Sequence, residues 1–287
     1  MKKFTAVLLM IISLFCLCSC RVGDIKVNFY APYWNFWSFS KGSSFTYNAS
    51  DIKKVDITWV GGEIEIVAGE GDELSVTENS EDLDDDAKMH YYIKDDKLTI
   101  HYSKALYREE VDTTKKHLRV EVPEGIEIDI DNVSADIKIG EMALSEIKLT
   151  NVSGNVEFSS LASSEIEIEN VDGTVTANEF VADELSAESV SGEIKFSKIS
   201  ANEIKIKTVS GKTTIGLAKK SELKVSSVSG AVAINIPDDI GATIEYSTMS
   251  GTFSSEKPHK TSNKTYTFAA GEIQIAVETV SGNLHIS

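Results

Sequence analysis

The stretch Ile147-Lys148-Leu149-Thr150-Asn151-Val152-Ser153-Gly154-Asn155-Val156-Glu157-Phe158 is answered further along by Ile166-Glu167-Ile168-Glu169-Asn170-Val171-Asp172-Gly173-Thr174-Val175-Thr176-Ala177. Apolar and polar positions fall in the same order in both. Working outward, the Val-Ser-Gly type triplet starts at Val133, Val152, Val171, Val190, Val209 and Val228, always at the same interval. A constant step of this length marks stacked repeats, each one coil of a solenoid. The expected fold is all-β: a single-domain parallel β-solenoid with about 19 residues per coil and irregular strands and loops at both ends.

Columns read down this period assign the core. Ile128, Ile147, Ile166, Leu185, Ile204 and Leu223 form one apolar column, and Ile130, Leu149, Ile168, Ala187, Ile206 and Val225 another two places on. That alternation is what a strand with one buried face requires. The triplet valines are expected as a third buried column. A second alternating strand follows at Ile137, Val156, Val175, Ile194, Thr213, Val232 and at Ile139, Phe158, Ala177, Phe196, Ile215, Ile234. Met142, Leu161, Phe180, Ile199 and Ala218 supply a sixth column beneath a third side.

The short polar residues around each triplet suit corners, where Asn, Asp, Ser and Thr side chains bond to nearby backbone. Gly154, Gly173, Gly192, Gly211 and Gly230 are expected as structural corners with φ above zero; Ala135 holds that place one coil earlier, so the first bend differs or is strained. The serines of the triplets are not read as nucleophiles, since no histidine column accompanies them. One coil cannot bury enough surface to fold alone, so stability must come from its neighbours.

Terminal coils should then be atypical. Val55 to Ile66 repeats the strand-corner-strand pattern far ahead of the regular array at about 123–236. Leu74 to Val76, Tyr91 to Ile93, Leu98 to Tyr102 and Leu118 to Val122 read as short strands between polar loops, and the acidic run Glu81 to Asp86 as a solvated loop. Met249-Ser250-Gly251 and Val280-Ser281-Gly282 arrive off the period, with a protruding loop from Ser254 to Lys264. The solenoid domain is placed at 48–287.

The N-terminus carries a second signal. Lys2 and Lys3 precede an apolar run from Phe4 to Leu17, too short for a comfortable span but right for secretion. Leu17-Cys18-Ser19-Cys20 resembles the lipobox of bacterial lipoproteins. The resemblance implies a signal peptide at 1–19, cleavage after Ser19 and lipidation of Cys20, hence an extracytoplasmic protein of the bacterial cell envelope held by its acyl chains. Residues 20–47 form an aromatic-rich linker, with Phe29, Tyr30, Tyr33, Trp34, Phe36 and Trp37 among others. Its aromatics either rest at the membrane interface or fold back over the first coil.

Cysteine and charge limit function. Cys16, Cys18 and Cys20 are the only cysteines, so the mature body has no disulfide or thiolate chemistry. The 28 basic and 45 acidic residues give a net charge of −17; without Lys2 and Lys3 the balance is 26 to 45, or −19. Nucleic-acid binding is excluded. No cofactor is expected.

The opening Ile57-Thr58-Trp59-Val60-Gly61-Gly62-Glu63-Ile64-Glu65-Ile66, followed by Gly69-Glu70-Gly71-Asp72-Glu73-Leu74, resembles that of the bacterial β-strand-repeat putative adhesins, a domain of unknown function. Leu118-Arg119-Val120-Glu121-Val122-Pro123 and the repeated triplets match its body, over about residues 50 to 287. The resemblance implies a β-solenoid at the cell envelope, in some cases tied to envelope stress responses, and brings no catalytic residues.

One column resists a stacking explanation. Glu127, Glu146, Glu165, Glu184, Glu203 and Glu222 stand one period apart, immediately before the first buried position. They should form an outward ladder of like charges, repelling by roughly 0.9 kcal/mol per neighbour in water. Such a ladder is either a solvated face that discourages lateral aggregation or a site for weak divalent-cation binding or a cationic partner. No metal site of conventional type is expected. The histidines His90, His101, His117, His259 and His285 lie outside the regular array, and no nucleophile-base pair is visible. The expected function is a non-enzymatic, membrane-anchored surface adhesin or ligand-binding module for an unknown protein or glycan. The alternative is an envelope scaffold or stress-sensing protein acting through a membrane or regulatory partner.

Overall fold

A computed structural model describes residues 40–41, 43–79, 83–103 and 116–287, all within one compact unit, Ser38–Ser287. The signal peptide, Cys20 and most of the linker lie outside the described residues. In chain order the strands are β1 (Ser40–Lys41), β2 (Ser44–Asn48), β3 (Lys54–Trp59), β4 (Glu63–Ala68), β5 (Glu73–Asn79), β6 (His90–Lys94), β7 (Lys97–His101) and β8 (His117–Val122). Then come β9 (Glu127–Asn132), β10 (Asp136–Ala143), β11 (Glu146–Asn151), β12 (Val156–Asn170), β13 (Val175–Ser189), β14 (Ile194–Thr208), β15 (Thr213–Leu217), β16 (Glu222–Ser227) and β17 (Val232–Asn235). The C-terminal set is β18 (Ala242–Ser247), β19 (Phe253–Ser255), β20 (Lys260–Ser262), β21 (Thr265–Phe268), β22 (Ile273–Thr279) and β23 (Leu284–Ile286).

These strands wind as a parallel β-solenoid. Between β9 and β17 residues pair with their equivalents in the next coil, apart from one slip in β15, as in Ile128↔Ile147↔Ile166↔Leu185↔Ile204↔Leu223. The first face runs β7-β3-β9-β11-β12-β13-β14-β16-β22-β18 and the second β8-β4-β10-β12-β13-β14-β15-β17-β23-β19. The long strands β12, β13 and β14 bend through the third side and serve both faces.

Chain order and stacking order part at both ends. The β3-β4 coil lies between β7-β8 and β9-β10, and the β22-β23 coil between β16-β17 and β18-β19. Beyond the last coils, antiparallel strands cover edges that would otherwise template aggregation. β6 lies on β7, β5 on β8 and β21 on β18. Strand β2 pairs with β5, and Phe45 stacks on Tyr91 with ring centroids 3.7 Å apart. The folded body therefore starts upstream of residue 48, and the end of the aromatic stretch folds back onto the first coils.

The apolar columns fill the interior, with two corrections. First, the triplet valines are not a buried column. Val133, Val152, Val171, Val190, Val209 and Val228 are half-buried, and the continuing positions Val280 and Met249 are 44% and 85% exposed. Strand alternation runs one step further than expected, from Ile128 and Ile130 to Asn132, so the small polar column points inward. Asn132, Asn151, Asn170, Ser189, Thr208 and Ser227 are all buried.

Burial of these amides is offset by bonding along the stack. Asn132 Nδ2 donates to Asn151 Oδ1 at 2.7 Å, and Asn151 Nδ2 to Asn170 Oδ1 at 2.8 Å. The same nitrogens also bond to the corner carbonyls of Ala135 and Gly154 at 2.8 and 3.0 Å. The triplet serines staple the outside of each bend. Ser153 Oγ donates to Val133 O at 3.0 Å, and Ser191 and Ser210 repeat the bond on Val171 and Val190.

Second, Leu217 rather than Ala218 continues the sixth column. The pairing slips between Phe196 and Ile199, so that Ile199 faces Leu217.

Glycine occupies the corners for closeness more than for backbone sign. Gly154 and Gly173 have φ of 97° and 92°, whereas Gly192, Gly211 and Gly230 are not in the left-handed region. At all five a Cβ would collide with the carbonyl of the corner one coil below. Ala135 also lies outside the left-handed region, so the first corner carries no such strain. Inside, Ala177 sits between Phe158 and Phe196 in its column, and the Phe180 ring fills the space. Its centroid is 5.0 Å from each ring, in edge-to-face geometry.

Candidate binding faces and the N-terminal cap

The glutamate column lies in register along the first face: Glu127↔Glu146↔Glu165↔Glu184↔Glu203↔Glu222, with Lys54 beside Glu127. Lys54 Nζ is 2.7 Å from Glu127 and 3.3 Å from Asp129. Lys205 bridges Glu184 and Glu203 at 2.7 and 3.2 Å, and Lys224 sits 2.7 Å from Glu222. Glu146 and Glu165 have no ion pair among the described residues. Burial, then the charges of Glu127 and Glu165, pushes the Glu146 carboxyl up from its ordinary value. Asp131, two columns over, is pushed up by burial and by Asp129 and Asp56. The face around β9 to β13 thus carries burial and like-charge repulsion that Lys54 and Lys148 only partly relieve. Among the described residues no three His, Cys, Asp or Glu side chains are gathered to hold a metal ion.

The N-terminal cap contains a site that sequence inspection missed. The side chains of Lys116 and Glu78 are both 0% exposed, with Nζ 2.7 Å from Oε1. Lys116 Nζ also donates to Ala87 O at 2.6 Å and to Tyr102 O. It lies 3.9 Å from the Tyr102 ring centroid and 5.0 Å from that of Trp59. Glu78 Oε2 accepts the Met89 N–H at 2.8 Å. Burial pushes the Lys116 amine down, and Glu78 opposes that shift. The signal was present: Lys116 shares parity with buried Leu118 and Val120, and Glu78 with buried Leu74 and Val76. Alternation therefore points both charges inward.

At the opposite end Ser254 Oγ is 3.0 Å from His285 Nδ1, and His285 Nε2 is 3.6 Å from Glu256. The order resembles a nucleophile, base and acid. However, the Glu256 side chain is 72% exposed, and its N–H is already given to Ile286 O. The cluster stands on an open surface and lacks the enclosure that acyl-transfer chemistry requires.

The stack, its in-register faces and its closed ends define a capped parallel β-solenoid. Residues 50–287 match the Toastrack DUF4097 family, and the chain belongs to that family. Among solved structures it is similar to a putative adhesin from Bacteroides fragilis, at 14% identity over 85% of this chain and 96% of the other, with a TM-score of 0.50. It is also similar to a putative adhesin from Parabacteroides merdae, at 14% identity over 87% and 96%, TM-score 0.45. A putative lipid binding protein from Parabacteroides distasonis has 16% identity over 85% and 96%, TM-score 0.45. No curated relative matches the chain.

Proposed function

We propose that this protein is a non-enzymatic binding module of the bacterial cell envelope, tethered through lipidated Cys20, that presents the first face of its solenoid to a cationic ligand in the manner of an adhesin. The observation that carries this reading is the in-register ladder from Glu127 to Glu222, of which Glu146 and Glu165 have no ion pair among the described residues, with the Glu146 carboxyl pushed up by burial and by the charges of Glu127 and Glu165. At Glu146 burial and like charge outweigh the opposing charge of Lys54, a local cost that stacking does not explain. The adhesin names of its structural neighbours agree with a surface role.

The test compares wild type with Glu127→Gln/Glu146→Gln/Glu165→Gln for retention on immobilised cationic peptide and on host matrix. Weaker retention with unchanged or higher thermal stability supports the reading; equal retention defeats it. Thermal unfolding with and without millimolar calcium separates the ion from a larger partner, since an unchanged midpoint removes the calcium version. Cys20→Ala should release the protein into the medium. If deletion leaves attachment intact but alters the response to envelope-active peptides, the scaffold or stress-sensing role holds instead.

A further inference from the structure

The Lys116 and Glu78 pair is the most unusual chemistry of the described fold, and the binding reading does not use it. Lys116 joins four segments at the end of the stack: β5 through Glu78, the turn before β6 through Ala87, the end of β7 through Tyr102, and its own entry into β8. We propose that Lys116 Nζ and Glu78 Cδ are the two halves of an intramolecular isopeptide crosslink, closed once the N-terminal cap has folded around them.

Three features favour bond formation. Both side chains are 0% exposed, so water neither solvates the ions nor hydrolyses the product. In such surroundings the neutral amine and carboxylic acid gain on the ion pair. The nitrogen is held 2.7 Å from the carboxyl oxygen by two backbone carbonyls and two aromatic rings, so no translational freedom remains to be lost. Finally, the Met89 N–H, 2.8 Å from Glu78 Oε2, is placed to stabilise the negative charge that develops there during addition.

The step balances within the pair. The Lys116 ammonium passes a proton to Glu78 Oε1, leaving an amine lone pair and a carboxylic acid. The lone pair forms the Nζ–Cδ bond, and the electrons of the C=O bond move onto Oε2 beneath the Met89 N–H. A second proton passes from Nζ to the Oε1 hydroxyl, the Cδ–Oε1 bond breaks and one water leaves. The resulting amide keeps one N–H for the neighbouring carbonyls. No oxidant, metal or co-substrate is required. In a mature body without cysteine, it would give the cap the covalent tie that disulfides give other extracytoplasmic domains.

The test is peptide mass spectrometry of the full chain purified under native conditions and digested. The expected result is a branched peptide joining the Glu78 and Lys116 segments, lighter by one water than the sum of the two, with no cleavage at Lys116. Recovery of the two segments only as separate linear peptides overturns the proposal. Lys116→Arg should abolish the branched species, and its persistence in that variant would overturn the assignment.

Discussion

Replacing Asn151 by Ala tests the inverted corner directly. Asn151 is 0% exposed and takes part in three short bonds: it accepts from Asn132 at 2.7 Å and donates to Asn170 at 2.8 Å and to Gly154 O at 3.0 Å. Alanine removes all three and leaves buried Asn132, Asn170 and Gly154 groups short of a partner. An unsatisfied buried group costs about 1–3 kcal/mol; with partial relaxation of the ladder the expected total is about 3–4 kcal/mol. The half-buried neighbour Val152 loses only part of its apolar area on becoming Ala, so that change should cost about 1 kcal/mol or less. Asn151→Ser should fall between them, because Ser189 and Ser227 occupy the same column and still reach the corner carbonyl at 3.1 and 3.2 Å. Urea unfolding followed by circular dichroism gives the three midpoints. A Val152→Ala variant less stable than Asn151→Ala would refute the inward placement of the polar column.

Gly211→Ala should destabilise by about 3 kcal/mol or prevent folding, because the new Cβ meets Gly192 O in a backbone that cannot yield. Gly71→Ala, with φ of 73° and open space around it, should cost about 1 kcal/mol, and equal midpoints would show that stacking closeness is not the constraint. For Glu146 the folded carboxyl lies above its unfolded value, so its charge opposes folding at neutral pH and the penalty fades as pH falls through the raised value. Glu146→Gln should therefore stabilise by about 0.5 kcal/mol at pH 7 and lose that advantage below about pH 4; a gain that grows on acidification would contradict the sign. Deleting residues 271–287 removes β22 and β23, among the described residues the only parallel partners of β18 and β19. Hydrogen exchange should show β18 and β19 losing protection while β9 to β14 keep it, and retained protection in β18 would argue against the intercalated order.

Much of the array was legible because a solenoid repeats its local rules. The constant step by itself puts Ile128 beside Ile147 and Glu127 beside Glu146, since parallel stacking turns a sequence interval into a spatial neighbour. Val133 to Val228 are apolar, yet strand alternation rather than hydrophobicity decides which side chain turns inward. An Asn or Ser is tolerable inside only when its equivalent in the adjacent coil completes the hydrogen bonds, and that depends on the stack. Leu217 displaced Ala218 because the pairing slips at Gly216, which no single column reveals. Lys116 and Glu78 stand at inward parity, yet β6 and β7 separate them along the chain and only the folded cap shows that they meet.

From sequence alone came the all-β class, the parallel stack, the period and the glutamate ladder, for these depend on periodicity, which survives as a one-dimensional signal. Tertiary structure alone decided which corner residue faces inward, the intercalation of β3-β4 and β22-β23, and the burial of an ion pair in the cap. Each is a choice among nonlocal partners. Residues 54–59 can satisfy their backbone against 97–101 and 127–132 only once those segments are in place, and the free energy that selects this arrangement belongs to the assembled stack rather than to any segment.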